Sequence, residues 1–223
     1  MKKILLATAL FLCVNSTFAA ETAILKIKGT LTASACTPEF SNGGVVDYGN
    51  IRLGELSSTA VNQLGQRNID LTITCTAATK VAWNMIDDRA DSNAGLTVSA
   101  GTFTGGAQSA TNQTYGVGKA GAVNIGSYAM FMKVNSVTAD GKSVDPIYQQ
   151  NGSTTWAKST DGSSQGENNR NITVALSGSI DPLAFQTATF PLVTSLAIQN
   201  TTTLAITDDT RLDGQLTISL KYL

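Results

Sequence analysis

Ile69-Asp70-Leu71-Thr72-Ile73-Thr74-Cys75 alternates, residue by residue, between apolar and polar side chains. Period two is the mark of a strand with one face in a core, because successive side chains point to opposite faces of a sheet. Cys75 closes the series on the apolar face. A matching stretch lies upstream. From Ala23 the odd positions Leu25, Ile27, Leu31, Ala33 and Ala35 are apolar, while Lys26, Lys28, Thr30, Thr32 and Ser34 between them are polar. That pattern predicts an N-terminal strand through Leu25, Ile27 and Leu31, with Cys36 directly after it.

Working outward, further strands are expected over 80–86, 96–103, 127–134, 171–177, 189–198 and 215–222. Between them lie clusters such as Asn42-Gly43-Gly44, Asp140-Gly141 and Asp161-Gly162-Ser163-Ser164. Gly, Asn, Asp and Ser favour turns because they tolerate left-handed backbone or hydrogen-bond it locally. No window carries a helical period with caps. Many short strands joined by turns imply an all-β fold, a sandwich or barrel. Residues 87–126 and 135–170 are polar and turn-rich, and read as long decorated loops on one domain spanning 20–223.

The first nineteen residues have a different character. Met1-Lys2-Lys3 is a short basic head, 4–14 is an apolar run, and 15–19 is polar and small, with Thr17 and Ala19 suitably placed before a cleavage at Ala20. This is the layout of a cleavable signal peptide, 1–19. The alternative, a membrane anchor, needs an apolar run of about 20 residues. Export places the chain in an oxidising compartment. Of the three cysteines, Cys13 leaves with the signal, so Cys36 and Cys75 remain as an even pair and read as a structural disulfide rather than separate thiols. Cleavage also removes two lysines, leaving a weakly acidic chain without basic runs, which argues against a nucleic-acid partner.

Histidine is absent from the chain. Ser-His-Asp and Cys-His catalysis and imidazole metal ligation are therefore excluded. With both cysteines oxidised no thiolate nucleophile remains either. Gly116-Val117-Gly118-Lys119-Ala120-Gly121 has the spacing G-x-G-x-x-G, but a dinucleotide site needs a helix after it and this segment runs into a predicted strand. No nucleotide or other cofactor is expected. Asp87, Asp88 and Asp91, and Asp208-Asp209, read as solvated turn charges rather than metal ligands. Trp83 reads as core, and Trp156 as the better candidate for an exposed contact. The chain is expected not to be an enzyme.

The other informative stretch is the last. Leu212, Gly214, Leu216, Ile218, Leu220 and Tyr222 alternate with Asp213, Gln215, Thr217, Ser219 and Lys221, and Leu223 follows. A half-buried strand here is either part of a complete sandwich or the border of a groove that another chain fills by strand addition.

At this point the chain resembles the subunits of chaperone–usher pili, and most closely a branch of fimbrial-like exported proteins of enterobacteria. The resemblance rests on Lys28-Gly29-Thr30-Leu31-Thr32-Ala33-Ser34-Ala35-Cys36-Thr37-Pro38, on Gly43-Gly44-Val45-Val46-Asp47-Tyr48-Gly49 and on Gln63-Leu64-Gly65. Leu71–Cys75, Asp88-Arg89-Ala90, Thr189-Phe190-Pro191-Leu192 and the terminal Leu216–Tyr222 complete it. It implies an incomplete immunoglobulin-like sandwich in the periplasm. A periplasmic chaperone, then a neighbouring pilus subunit at the usher, completes such a sandwich and carries it to the cell surface for adhesion. Carried over, Leu216, Ile218, Leu220 and Tyr222 would line the groove and the Leu223 carboxylate would meet the chaperone. With a first strand starting at Ile24, only Ala20–Ala23 precede it. Four residues span about 13 Å at about 3.3 Å each, too little to fill a neighbour's groove. That length points to a terminal or minor position in a fibre. The alternative is a periplasmic binding or accessory protein with a complete sandwich that does not polymerise.

Overall fold

The alternation at 69–75 belongs to a longer strand than its seven residues suggest. In a computed structural model describing residues 25–29 and 35–223, the elements are β1 (Cys36–Phe40), β2 (Asn62–Thr79), β3 (Val81–Asp87), β4 (Tyr115–Gly116), β5 (Lys119–Ala120), β6 (Val123–Asn124) and β7 (Gly126–Met132). They continue with β8 (Thr138–Ala139), β9 (Lys142–Ser143), β10 (Asp145–Gln150), β11 (Ala157–Lys158), β12 (Arg170–Ala175), β13 (Phe185–Ile198), the one-turn helix α1 (Thr201–Leu204) and β14 (Leu216–Tyr222). The expected signal peptide lies outside the described residues, as does Leu31.

Two antiparallel sheets hold all of these strands but β5 and β6, which pair as a separate hairpin. One runs β1-β2-β13-β7-β4 with the β8–β9 hairpin against β13; the other runs β11-β10-β12-β3-β14. The inward faces alternate as the sequence does. Leu71 and Ile73 from β2 and Phe190 and Leu192 from β13 meet Val81, Trp83 and Met85 from β3 in one core. Trp83 and Phe190 pack edge to face across the two sheets, with ring centroids 5.7 Å apart, the geometry aromatic quadrupoles favour. The all-β sandwich is therefore formed, and Trp83 is core as expected.

Cys36 and Cys75 are bonded. They sit opposite each other in the register of β1 and β2, which continues to Phe40↔Leu71. Their Cα atoms are 4.0 Å apart, as suits the close, non-hydrogen-bonded pairs of an antiparallel ladder. The bridge thus joins neighbouring strands.

Three expectations change. The strand predicted from Ala23 is not found at 25–29: those residues are in no strand, and Leu25 and Ile27 are 86% and 91% exposed. They fall in a unit, Met1–Ala33, separate from Ser34–Leu223. Alternation alone does not bury a strand; a facing surface must exist, and in the described sheet β2 is taken by Cys36–Phe40. Second, 96–103 forms only an isolated bridge, Val98↔Gln108. This stretch instead lies over the outer face of β7 and β13, where Val98, Ala129 and Ala197 form a small cluster apart from the main core. That cover explains why β13 is buried almost continuously from Leu192 on. Third, Asp145–Gln150 is a strand that proline and paired glutamines conceal in the sequence.

Candidate functional site

β14 is the last strand of its sheet. It pairs with β3 from Leu216↔Asp87 to Tyr222↔Val81, and among the described residues no strand lies on its other side. The register fixes which backbone groups face outward. Asp88 N donates to Gln215 O at 3.0 Å, and Leu223 N donates to Lys80 O at 3.1 Å. Hydrogen bonding in an antiparallel pair skips every second residue, so the odd positions 215–223 bond toward β3. Leu216, Ile218, Leu220 and Tyr222 hence present their N–H and C=O groups to the open edge. Leu216, Ile218 and Leu220 are half-buried against the main core. Tyr222 and Leu223 are 52% and 46% exposed.

The facing edge belongs to β1. Thr76 N donates to Ala35 O, so by the same parity Thr37 and Glu39 bond toward β2, while Cys36, Pro38 and Phe40 face outward. Proline has no N–H to give. The Cys36 N–H is already engaged: it donates to Tyr222 Oη at 2.9 Å. The two edge strands are therefore drawn together at the Tyr222 end.

At the Leu216 end they part, and a cavity of about 1300 Å³ opens between them. Its floor is apolar core: Phe40, Ile69, Tyr128, Met130 and Leu196, with Leu216 at the rim. Ile218, Leu220 and Tyr222 do not line it. One wall is the irregular stretch 44–53, the other is 206–214. The first wall is held by Tyr48, whose hydroxyl lies 2.9 Å from Thr194 Oγ1 and whose ring carries the Arg67 guanidinium 5.0 Å from its centroid. Burial raises the Tyr48 pKa, so the phenol stays neutral and able to donate. The second wall is held at Asp213, which takes a two-point bond from Arg89, Nε at 2.9 Å and Nη2 at 3.3 Å, while its own N–H donates to Val117 O.

Reading the sequence placed Leu216, Ile218, Leu220 and Tyr222 on one face of one strand, and the structure does the same. It missed Phe40, Tyr48 and Thr194. Phe40 lies in a strand whose proline and short length gave no signal; Tyr48 was visible only as part of a resembling segment. The segment from Gly116 to Gly121 is strand and hairpin. Gly116 N donates to Asp87 Oδ2 and Gly118 N to Ser92 Oγ, both at 2.9 Å, and a Cβ on Gly116 would collide with the Arg89 carbonyl. The glycines allow close packing behind the cavity. Of the acidic clusters, Asp87 binds backbone N–H groups of Arg89 and Gly116, and Asp91 pairs with Lys119. Among the described residues no three acidic, cysteine or histidine side chains converge as metal ligands would. Trp156 is half-buried.

A family model described as "Protein of unknown function (DUF1120)" matches residues 25–129. "Uncharacterized protein YhcF" of Escherichia coli strain K12 is 33% identical over 237 aligned positions, covering 99% of this chain and 98% of that protein. "Protein GltF" of the same strain is 32% identical over 222 positions, covering 89% of this chain and 87% of that protein. With identity of this level running through both sheets, the chain belongs to the DUF1120 family, alongside YhcF and GltF.

Proposed function

We propose that this chain is a structural or adhesive subunit of fimbrial type, exported to the periplasm and completed by a strand from a chaperone or a neighbouring subunit. The observation that carries the reading is the β14 edge. On the side of β14 away from β3, the backbone groups of the alternate residues Leu216, Ile218, Leu220 and Tyr222 meet no strand among the described residues, beside a cavity floored by core side chains. An extended segment laid along β14 would pair that edge and drop alternate apolar side chains toward the cavity, which is the physics of strand addition.

The start of β1 at Cys36 alters one part of the argument. A terminal or minor position was expected because only Ala20–Ala23 preceded the first strand. Leu25–Gly29 stand outside every strand, so the length argument for that position falls away. Leu25 and Ile27, both exposed, alternate as the apolar residues of a donor strand would.

A second reading, a binding or accessory protein that does not polymerise, draws on the Cys36–Tyr222 contact, which closes one end of the sandwich without outside help. The cavity would then hold a small apolar ligand. Preparation of residues 20–223, oxidised and without any chaperone, separates the two. The subunit reading expects a monomer of modest stability whose urea midpoint rises when a chaperone or a strand peptide is added. A midpoint that neither of them moves removes it.

A further inference from the structure

The open edge and the cavity coincide only at Leu216. Toward Tyr222 the cavity is closed, although Ile218, Leu220 and Tyr222 still turn their backbone groups outward. Beyond the shared apolar core, the polar contact between the two edges there comes from one side chain. Tyr222 shares a face with Leu216, Ile218 and Leu220, and its hydroxyl accepts the Cys36 N–H at 2.9 Å. Cys36 cannot drift, since its sulfur is bonded to Cys75 in β2. Among the described residues, one hydrogen bond thereby ties the edge strand of one sheet to the edge strand of the other.

We propose that the Tyr222 hydroxyl is a latch that holds the empty groove shut and sets the direction in which a strand enters. The inference rests on the strand-addition reading above and adds its regulation. A strand enters where the walls already stand apart, between Phe40 and Leu216. It pairs Leu216, Ile218 and Leu220 in turn, and reaches Tyr222 only when the latch opens. β1 competes weakly for the incoming strand, because Pro38 has no N–H and the latch holds that of Cys36. Once the latch opens, the Cys36 N–H is free to bond the incoming strand.

The test uses the oxidised mature protein and its Tyr222→Phe variant, which keeps the ring and removes the hydroxyl. The probe is a synthetic peptide of residues 20–35. Without peptide, amide exchange at Cys36 is expected to be about fivefold faster in the variant, the size of one hydrogen bond of ordinary net strength. With peptide, protection is expected at Leu216, Ile218 and Leu220 in both proteins, and uptake about fivefold faster in the variant. Mass spectrometry checks that the disulfide is intact in each. Equal Cys36 exchange in the two proteins overturns the latch, whatever the peptide does. Faster Cys36 exchange with equal uptake rates overturns its role in entry. Faster exchange with no peptide protection on β14 in either protein overturns the strand-addition reading itself, and the latch's role with it.

Discussion

Replacing Cys36 and Cys75 together by serine is expected to destabilise the domain by about 4 kcal/mol. The two are 39 positions apart in sequence. Closing a loop of that size removes roughly 13 cal/mol/K from the unfolded chain, or about 4 kcal/mol at 25 °C. Little else holds β1. It has five ladder positions with β2, the half-buried Phe40, and the single bond from Cys36 to Tyr222. Loss of the bridge is thus expected to free β1 before the rest. Urea unfolding followed by the fluorescence of the buried Trp83 reads the global effect. With a slope of about 2 kcal/mol/M for a domain of this size, the midpoint should fall by about 2 M. Hydrogen exchange reads the local effect, as early opening at Cys36–Phe40 and their partners Leu71–Cys75. A midpoint shift below about 0.5 M would refute the reasoning, because the ladder with β2 would then be holding β1 unaided.

Three more outcomes are expected. Gly162→Ala should destabilise by about 3 kcal/mol, because φ is +68° there and the new Cβ would meet the Met132 carbonyl, whereas Gly141→Ala, left-handed but with open space around it, should lose only about 1 kcal/mol; equal losses in urea unfolding would contradict this. Asp87 is raised above the ordinary carboxylate range by burial, opposed by the N–H groups of Gly116 and Arg89. Its folded form holds the proton more readily than its unfolded form, so its contribution is full below the ordinary carboxylate value and is lost as pH rises through the raised one. Asp145, held low by the Gly178 N–H and then by Lys158, works oppositely: its contribution is present above the ordinary value and lost as pH falls through the lowered one. Urea midpoints measured from neutral pH down to about pH 4 should therefore gain an Asp87-dependent component that Asp87→Asn abolishes; an identical profile in the variant would clear Asp87 of the effect. Finally, if a periplasmic chaperone completes the sandwich as proposed, Leu220→Asp with Tyr222→Asp should prevent its capture and deplete the protein, since carboxylates buried against an apolar strand lack partners. Normal accumulation on an immunoblot would count against the groove.

The parts of the fold that were legible share a cause. Wherever one face of a strand is buried and the other is wet, as in β2 near Leu71 and in β14, period two survives in the sequence. It fails in two opposite situations. β7 and the second half of β13 are buried on both faces, one side by the other sheet and one by the stretch around Val98, so alternation fades there. At Leu25 and Ile27 the alternation is present but no neighbouring strand receives it in the described structure. The disulfide could be read from cysteine number, because pairing needs no periodicity. The cavity could not be read, since its walls, 44–53 and 206–214, are irregular and are placed by Tyr48 on Thr194 and by Asp213 on Arg89, contacts between residues more than a hundred positions apart.

The four ends of the two main strand orders show why β14 is the edge to watch. A sheet edge with free N–H and C=O groups invites pairing, and proteins blunt it with proline, shortness or inward charge. β1 carries Pro38. β4 and β11 are two residues long. β14 has seven residues and no proline, and its ladder with β3 runs without a bulge; its one charge, Lys221, lies on the odd, exposed side away from the core. Three edges are protected by chain-level devices and the fourth by a single phenol hydroxyl at one end. An edge left in that condition beside an apolar cavity is an aggregation hazard unless something regularly covers it. On the strand-addition proposal the exposure of β14 is a feature of use, and the protection of the other three is what sets it apart.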